Sequence, residues 1–182
     1  MITLLPFQIK ASEQIAKRYM EFRDNENRPY ETRTRAIPFY QALSALTGGG
    51  KTPILADAVV QMRFAMPIEP IVLWISKAKT VVDQTYANFR PGGKYSHLVE
   101  MFSVTYLKDL SPDMISDGTV PIIAIATTGT FNQREQSDSS LRIYQIDEDK
   151  GSKSLWDFLK ERKTFDGQRR DLIIVYDEGH NL

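Results

Sequence analysis

Residues 45–52, ALTGGGKT, restrict what this chain can fold into more than any other stretch. Gly48, Gly49 and Gly50 lack Cβ atoms, so the backbone there can wrap closely around an anion and turn its N–H groups inward. Lys51, Thr52 and Pro53 follow. A proline in a helix interior costs about 3 kcal/mol, but in the first turn its missing N–H had no intrahelical partner to lose. The order therefore predicts a loop that passes into a helix starting near Gly50 or Lys51. A helix over 53–66 would share Ile54, Leu55, Ala58, Val59 and Met62 on one face. Its N-terminus would add unpaired N–H groups and the positive end of its dipole to the loop. The spacing is that of G-x-x-x-x-G-K-[ST], with Ala45 in place of the first glycine. On this chemistry Lys51 places an ammonium on the β- and γ-phosphates of a nucleotide, and Thr52 a hydroxyl on Mg2+. A plain glycine-rich turn between a strand and a helix would share the glycines but has no use for the Lys-Thr pair.

A second feature stands near the other end. The apolar run 172–176 (LIIVY) leads into Asp177, Glu178, Gly179 and His180. A buried strand ending in two carboxylates puts them at the carboxyl edge of a sheet, where open α/β folds bind ligands. Asp177 would hold Mg2+, usually through water, and Glu178 would orient or deprotonate an attacking water. His180 would couple such a site to movement elsewhere by hydrogen-bonding across a cleft. Taken alone, a strand ending in Asp-Glu is also an ordinary strand-to-turn junction.

Between these features the periodicity alternates. Helical spacing is expected over 7–22, after Pro6, over 80–89 up to the PGG at 91–93, and over 155–163. Strands are expected over 39–46, 71–75 (IVLWI), 99–106, 121–126 (PIIAIA) and 172–176. The continuous apolar runs are of the kind found in parallel sheets. Residues 23–35, 132–140 and 146–153 are polar and read as loops or an insertion. Strands alternating with helices predict an α/β fold with a mostly parallel sheet and helices on both faces.

Composition narrows the partners. Lys+Arg and Asp+Glu both number 23, so no global field steers the chain of 182 residues onto nucleic acid or an anionic membrane. There is no cysteine, which excludes disulfides and thiolate metal sites and favours a reducing compartment. No apolar run approaches the ~20 residues of a membrane helix, and the N-terminus lacks a signal-peptide pattern. A cytoplasmic protein with no membrane partner is expected.

The glycine loop and the DEGH tetrad together resemble motifs I and II of the DExH/DEAD-type proteins of the second helicase superfamily. Their motif I, A-x-T-G-x-G-K-[ST], is met by residues 45–52, with Thr47 at its threonine. The closer resemblance is to the Res subunit of type III restriction-modification enzymes, carried by LLPFQIKASEQI (4–15), ISKAKTVVDQTYANF (75–89), TTGTFNQ (127–133) and VYDEGHNL (175–182). The resemblance implies a RecA-like P-loop NTPase fold, ATP and Mg2+ as cofactors, and Thr47, Gly48, Gly49, Gly50, Lys51 and Thr52 around the nucleotide. It implies that Gln8 selects ATP by reading the adenine edge. Ser76, Lys77 and Lys79 fall where motif Ia contacts the nucleic-acid backbone, and Thr128, Gly129 and Thr130 where motif Ib does. DNA as the track comes from the resemblance alone.

The resemblance also implies what should accompany this segment. Motors of this kind pair two RecA-like domains, the second supplying arginines worth about 10³–10⁵ in rate. Residues 1–182 are thus expected to be the N-terminal part of the first domain, with a polar insertion around 133–170 that carries no chemistry. The strand leading to motif III and the second domain would lie beyond Leu182, and the isolated segment would be nearly inactive. A nuclease domain and a methyltransferase (modification) subunit would be further partners. Two alternatives use the same glycine loop: a non-catalytic nucleotide-binding scaffold and a P-loop kinase. Intact Lys51, Thr52, Asp177 and Glu178 argue against the scaffold, and the DEGH tetrad with Gln8 against the kinase.

Overall fold

In the computed structural model, which describes residues 3–25, 38–44, 48–131, 143–147 and 152–177, the apolar runs become one parallel sheet. Its strands are β1 (Ile71–Ser76), β2 (Ser103–Tyr106), β3 (Ile122–Thr127) and β6 (Leu172–Tyr176), in the order β2-β3-β1-β6. A separate antiparallel pair joins β4 (Ile146–Asp147) to β5 (Lys153–Ser154). The helices are α1 (Pro6–Arg23), α2 (Lys51–Arg63), α3 (Lys79–Phe89), α4 (Pro112–Asp117) and α5 (Leu155–Glu161). The chain divides into two compact units, residues 2–65 and 66–182.

The unit of residues 66–182 holds the sheet. In β1, Ile71, Val72, Leu73, Trp74 and Ser76 are all buried, which is why its sequence shows no apolar/polar alternation. On one face Ile71 and Leu73 join Ile122, Ala124 and Ala126, and pack with Leu107, Leu110, Ile115, Ile143 and Leu159. On the other, Trp74 meets Phe89 of α3 edge-on, ring centroids 4.9 Å apart. Helices thus cover both faces, since a sheet buried on each side needs an apolar partner on each.

Arg170 closes the amino-terminal end of this sheet. Its side chain is 1% exposed. Nε donates to the Glu69 carbonyl at 2.7 Å, Nη1 to Met114 and Ile115 at 3.0 and 2.8 Å, and Nη2 to Pro70 and Val120 at 3.3 and 2.6 Å. These carbonyls belong to the approaches to β1 and β3 and to the last turn of α4, whose terminal carbonyls have no intrahelical donors. Burial pulls the Arg170 pKa below its ordinary value, and the charges of Asp117 and Glu69 oppose that shift. A turn places the residue: Arg170 N–H donates to the Arg162 carbonyl at 3.0 Å and Thr164 N–H to that of Gln168 at 2.8 Å.

The unit of residues 2–65 packs α1 against α2. Pro6 occupies the first helical turn of α1, as its fixed φ favours. Ser12, fully buried, hydrogen-bonds Asp57 of α2, and Gln61 Nε2 donates to Asp57 Oδ2 at 2.7 Å. Such a satisfied polar cluster fixes the pairing of two helices more sharply than apolar contact does.

Three expectations are corrected. The strand expected over 39–46 does not form in its described part: residues 38–44 have no ladder partner. Instead Phe39 stacks on Phe22 at 4.8 Å and lies 6.0 Å from Tyr19, while Gln41 Nε2 donates to the Ile15 carbonyl at 2.8 Å. Aromatic docking on α1 takes the segment that an apolar run suggested for the sheet. The helix expected over 53–66 starts at Lys51, as the position of Pro53 predicts, but ends at Arg63, and its face buries Ala56 beside Ile54, Ala58, Val59 and Met62 while the expected Leu55 stays half-buried. The insertion expected around 133–170 supplies Ile143, Leu159 and Arg170 to the interior, so its described part is structural. Of the polar loops expected at 23–35 and 132–140, residues 26–35 and 132–140 lie outside the described residues.

Removing the Arg170 guanidinium leaves several carbonyls without donors, each costing about 1–3 kcal/mol if water does not reach it. Arg170→Met is expected to lower unfolding stability by about 3–5 kcal/mol. Arg170→Lys should recover less than half, because one ammonium cannot span carbonyls arranged for a planar fork. Urea unfolding followed by tryptophan fluorescence measures both.

Candidate functional site

The described part of the glycine loop, residues 48–50, leads directly into α2. Gly48 and Gly50 have φ of +80° and +77°, the left-handed region that costs a residue with a Cβ about 1–2 kcal/mol. Gly50 is the N-cap of α2, so Lys51 and Thr52 are its first two residues and Pro53 its third. The first intrahelical bond shown is from Ile54 N–H to the Gly50 carbonyl, 3.3 Å. The backbone N–H groups of this turn therefore face the loop rather than the helix ladder.

Gln8 is brought to this loop from α1. Its Nε2 donates to the Gly49 carbonyl at 3.2 Å, and its Oε1 accepts from Leu5 N–H at 2.8 Å. A Cβ at Gly50 would stand 2.2 Å from Gln8 Nε2. Gly50 is thus required by its φ, and a Cβ there would also make the flexible end of Gln8 move aside. Sequence reasoning gave Gln8 an adenine but not this second attachment, for which the sequence holds no local signal.

In the unit of residues 66–182, two predicted positions, Ser76 and Asp177, meet at the carboxyl edge of the sheet with Thr127 beside them. The register pairs Ser76 of β1 with Thr127 of β3. Asp177 follows β6 one residue beyond the Ile75–Tyr176 pair, and its N–H donates to the Ile75 carbonyl at 2.9 Å. Strand alternation puts Thr127, Ser76 and Asp177 in one row on one face. Asp177 is 5% exposed. The loops that leave β1 and β3 are neighbours for the same reason. One carries Lys77 and Lys79, both exposed, at the start of α3. The other is the 3-10 turn Thr128–Phe131, with Thr128, Gly129 and Thr130 half-buried.

Ser76 departs from its expected role. It is 1% exposed, so its side chain is not available to a ligand at the surface, whereas Lys77 and Lys79 are exposed. As the last strand residue it points to the face that the sheet buries. Thr47, Glu178 and His180 lie outside the described residues. Among the described residues no group of three His, Cys, Asp or Glu side chains is arranged to hold a metal. No helix among them is long and apolar enough to cross a membrane.

Gly50→Ala is expected to destabilise the protein by about 2 kcal/mol or more, combining left-handed strain with displacement of Gln8. Adding Gln8→Ala should recover the steric part and leave the φ part. A double-mutant cycle read by thermal unfolding should therefore show coupling of about 1 kcal/mol.

Comparison with curated proteins and with solved structures gives no match. The family described as type III restriction enzyme, res subunit, matches over residues 1–182. The chain belongs to this family of helicase-type, ATP-binding domains, and its parallel sheet with flanking helices is the α/β architecture of their RecA-like P-loop fold.

Proposed function

We propose that this chain is the ATP- and Mg2+-binding part of a DExH-type motor that acts on nucleic acid, DNA in a restriction-type enzyme. The observation that carries the reading is the pair of left-handed glycines, Gly48 and Gly50, running directly into a helix whose first residues are Lys51 and Thr52. The family supports ATP and the helicase class. Lys51 would neutralise the β- and γ-phosphates, and the N–H groups of the loop would cradle them. Gln8 keeps one amide hydrogen and one lone pair beyond its bonds to Gly49 and Leu5, enough to read an adenine edge.

The hydroxyl of Thr52 and the carboxylate of Asp177 are hard oxygen donors, the chemistry Mg2+ takes when a nucleotide and water complete its shell. One carboxylate suffices for such a site, so a cluster of acidic side chains is not required. Bound Mg2+ would neutralise charge that develops on the phosphates. Glu178 would orient the attacking water, and His180 would relay the site's state. Lys77 and Lys79, with the turn of Thr128, Gly129 and Thr130 beside them, would contact the nucleic-acid backbone. Turnover would need arginines from a second RecA-like domain, and a methyltransferase subunit is a further partner the reading implies.

Lys51→Ala is expected to abolish binding of a fluorescent ATP analogue. Glu178→Gln should bind it normally and, in the enzyme with its second domain, lose nucleic-acid-stimulated hydrolysis. Binding without stimulated turnover in the unmodified enzyme would favour a scaffold, and phosphate transfer to a small acceptor a kinase.

Each of Lys77→Ala and Lys79→Ala should weaken nucleic-acid binding alike across sequences and reduce the slope of log affinity against log salt by about 1. Fluorescence anisotropy with DNA and RNA duplexes at several salt concentrations reads this and the preferred track. Unchanged slopes for both variants would remove the loop of residues 77–79 from the interface.

A further inference from the structure

The Ser76 hydroxyl is 1% exposed and has no hydrogen-bond partner among the described residues. A buried hydroxyl left unpaired is costly, and in a native structure it signals a missing partner or a state in which the partner arrives. The register limits the candidates. On the β3 side stands Thr127, whose Oγ1 already lies 3.2 Å from Thr130 Oγ1. On the β6 side stands Asp177, one residue beyond the Ile75–Tyr176 pair. Directly opposite positions on one face of neighbouring strands bring side chains within reach of one another. A carboxylate accepts several hydrogen bonds at once, so Asp177 can take one more whatever else it meets.

The Trp74 indole N–H, also unpartnered, sharpens the comparison. It lies two residues earlier on the same face, and its register neighbours are Ile125 and Val175, which offer no acceptor. Only the Ser76 level of the row carries an acidic group.

We propose that Ser76 is a positioning residue for Asp177, its hydroxyl donating to the Asp177 carboxylate when that carboxylate engages a divalent cation. The inference rests on the nucleotide-and-magnesium reading above. With one carboxylate oxygen engaged by the cation, the other would remain to accept from Ser76. That second bond fixes the rotamer, as second-shell donors do for ligating carboxylates generally. No bond is made or broken by Ser76; it supplies one hydrogen bond.

The test is nucleotide binding as a function of Mg2+ and, separately, in excess chelator, using a fluorescent ATP analogue with the unmodified protein, Ser76→Ala and Ser76→Thr. Ser76→Ala should raise the Mg2+ concentration for half-maximal binding about tenfold, the loss expected for one hydrogen bond to a charged acceptor. Its affinity in chelator should match the unmodified protein, and its metal-free melting temperature should equal or exceed that of the unmodified protein, because removing a buried hydroxyl without a partner removes a desolvation cost. Ser76→Thr, which keeps the hydroxyl, should restore the Mg2+ dependence. If Ser76→Ala leaves the Mg2+ midpoint unchanged while the unmodified protein shows clear Mg2+-dependent binding, the positioning role is wrong and the nucleotide reading stands. If Ser76→Ala lowers the metal-free melting temperature, the hydroxyl is already partnered and the role is structural. If the unmodified protein binds nucleotide without regard to Mg2+, both the inference and the metal part of the reading fall together.

Discussion

A single buried guanidinium, Arg170, holds the amino-terminal end of the sheet and thereby governs what stands at its opposite edge. It ties the approaches to β1 and β3 and the end of α4 through backbone carbonyls, with no carboxylate among the described residues hydrogen-bonded to it. Arginine suits this place because its fork of N–H groups reaches several acceptors while keeping its charge. In a parallel sheet a slip of one residue moves every side chain of a strand to the other face. Such a slip in β1 would carry Ser76 off the row it shares with Thr127 and leave Asp177 beside an aliphatic or a lysine instead.

The unit of residues 2–65 shows a comparable dependence on backbone rather than on charge. Its glycine loop is shaped by left-handed φ at Gly48 and Gly50 and held by the Gln8 amide at Gly49. The Ser12–Asp57–Gln61 cluster keeps α1 and α2 paired, and so keeps Gln8 where the loop is. A residue expected to recognise a base is thus also a strut. An amide offers donors and acceptors enough for both uses.

The edge of the sheet in the 66–182 unit combines dissimilar chemistry within a few positions. A buried carboxylate and a buried hydroxyl sit in the row, while the loops leaving β1 and β3 expose lysines and present a threonine-rich turn. This follows from the direction of parallel strands: all of them end on the same side, so every strand-to-helix loop gathers there.

Much of this was legible along the chain. The runs 71–75, 121–126 and 172–176 were readable as buried parallel strands because uninterrupted apolar residues have few other uses, and Pro53 located the start of α2 within a residue. The order of the glycines, Lys51 and Thr52 and the strand ending in Asp177 carry the resemblance to the family that matches the chain. The described part of the strand expected over 39–46 goes elsewhere because an apolar run does not say whether a strand or the face of a helix will receive it. Ser76 was misassigned because a strand-end serine reads the same whether buried or exposed. Local sequence determined the strands, the loop and the chemistry each residue type can offer, since those depend on φ preferences and side-chain groups. Only the tertiary structure decided that Arg170 is a clamp, that Gln8 meets Gly49 and that Ser76 lies beside Asp177, because each joins residues distant in the chain through register and packing that no single segment encodes.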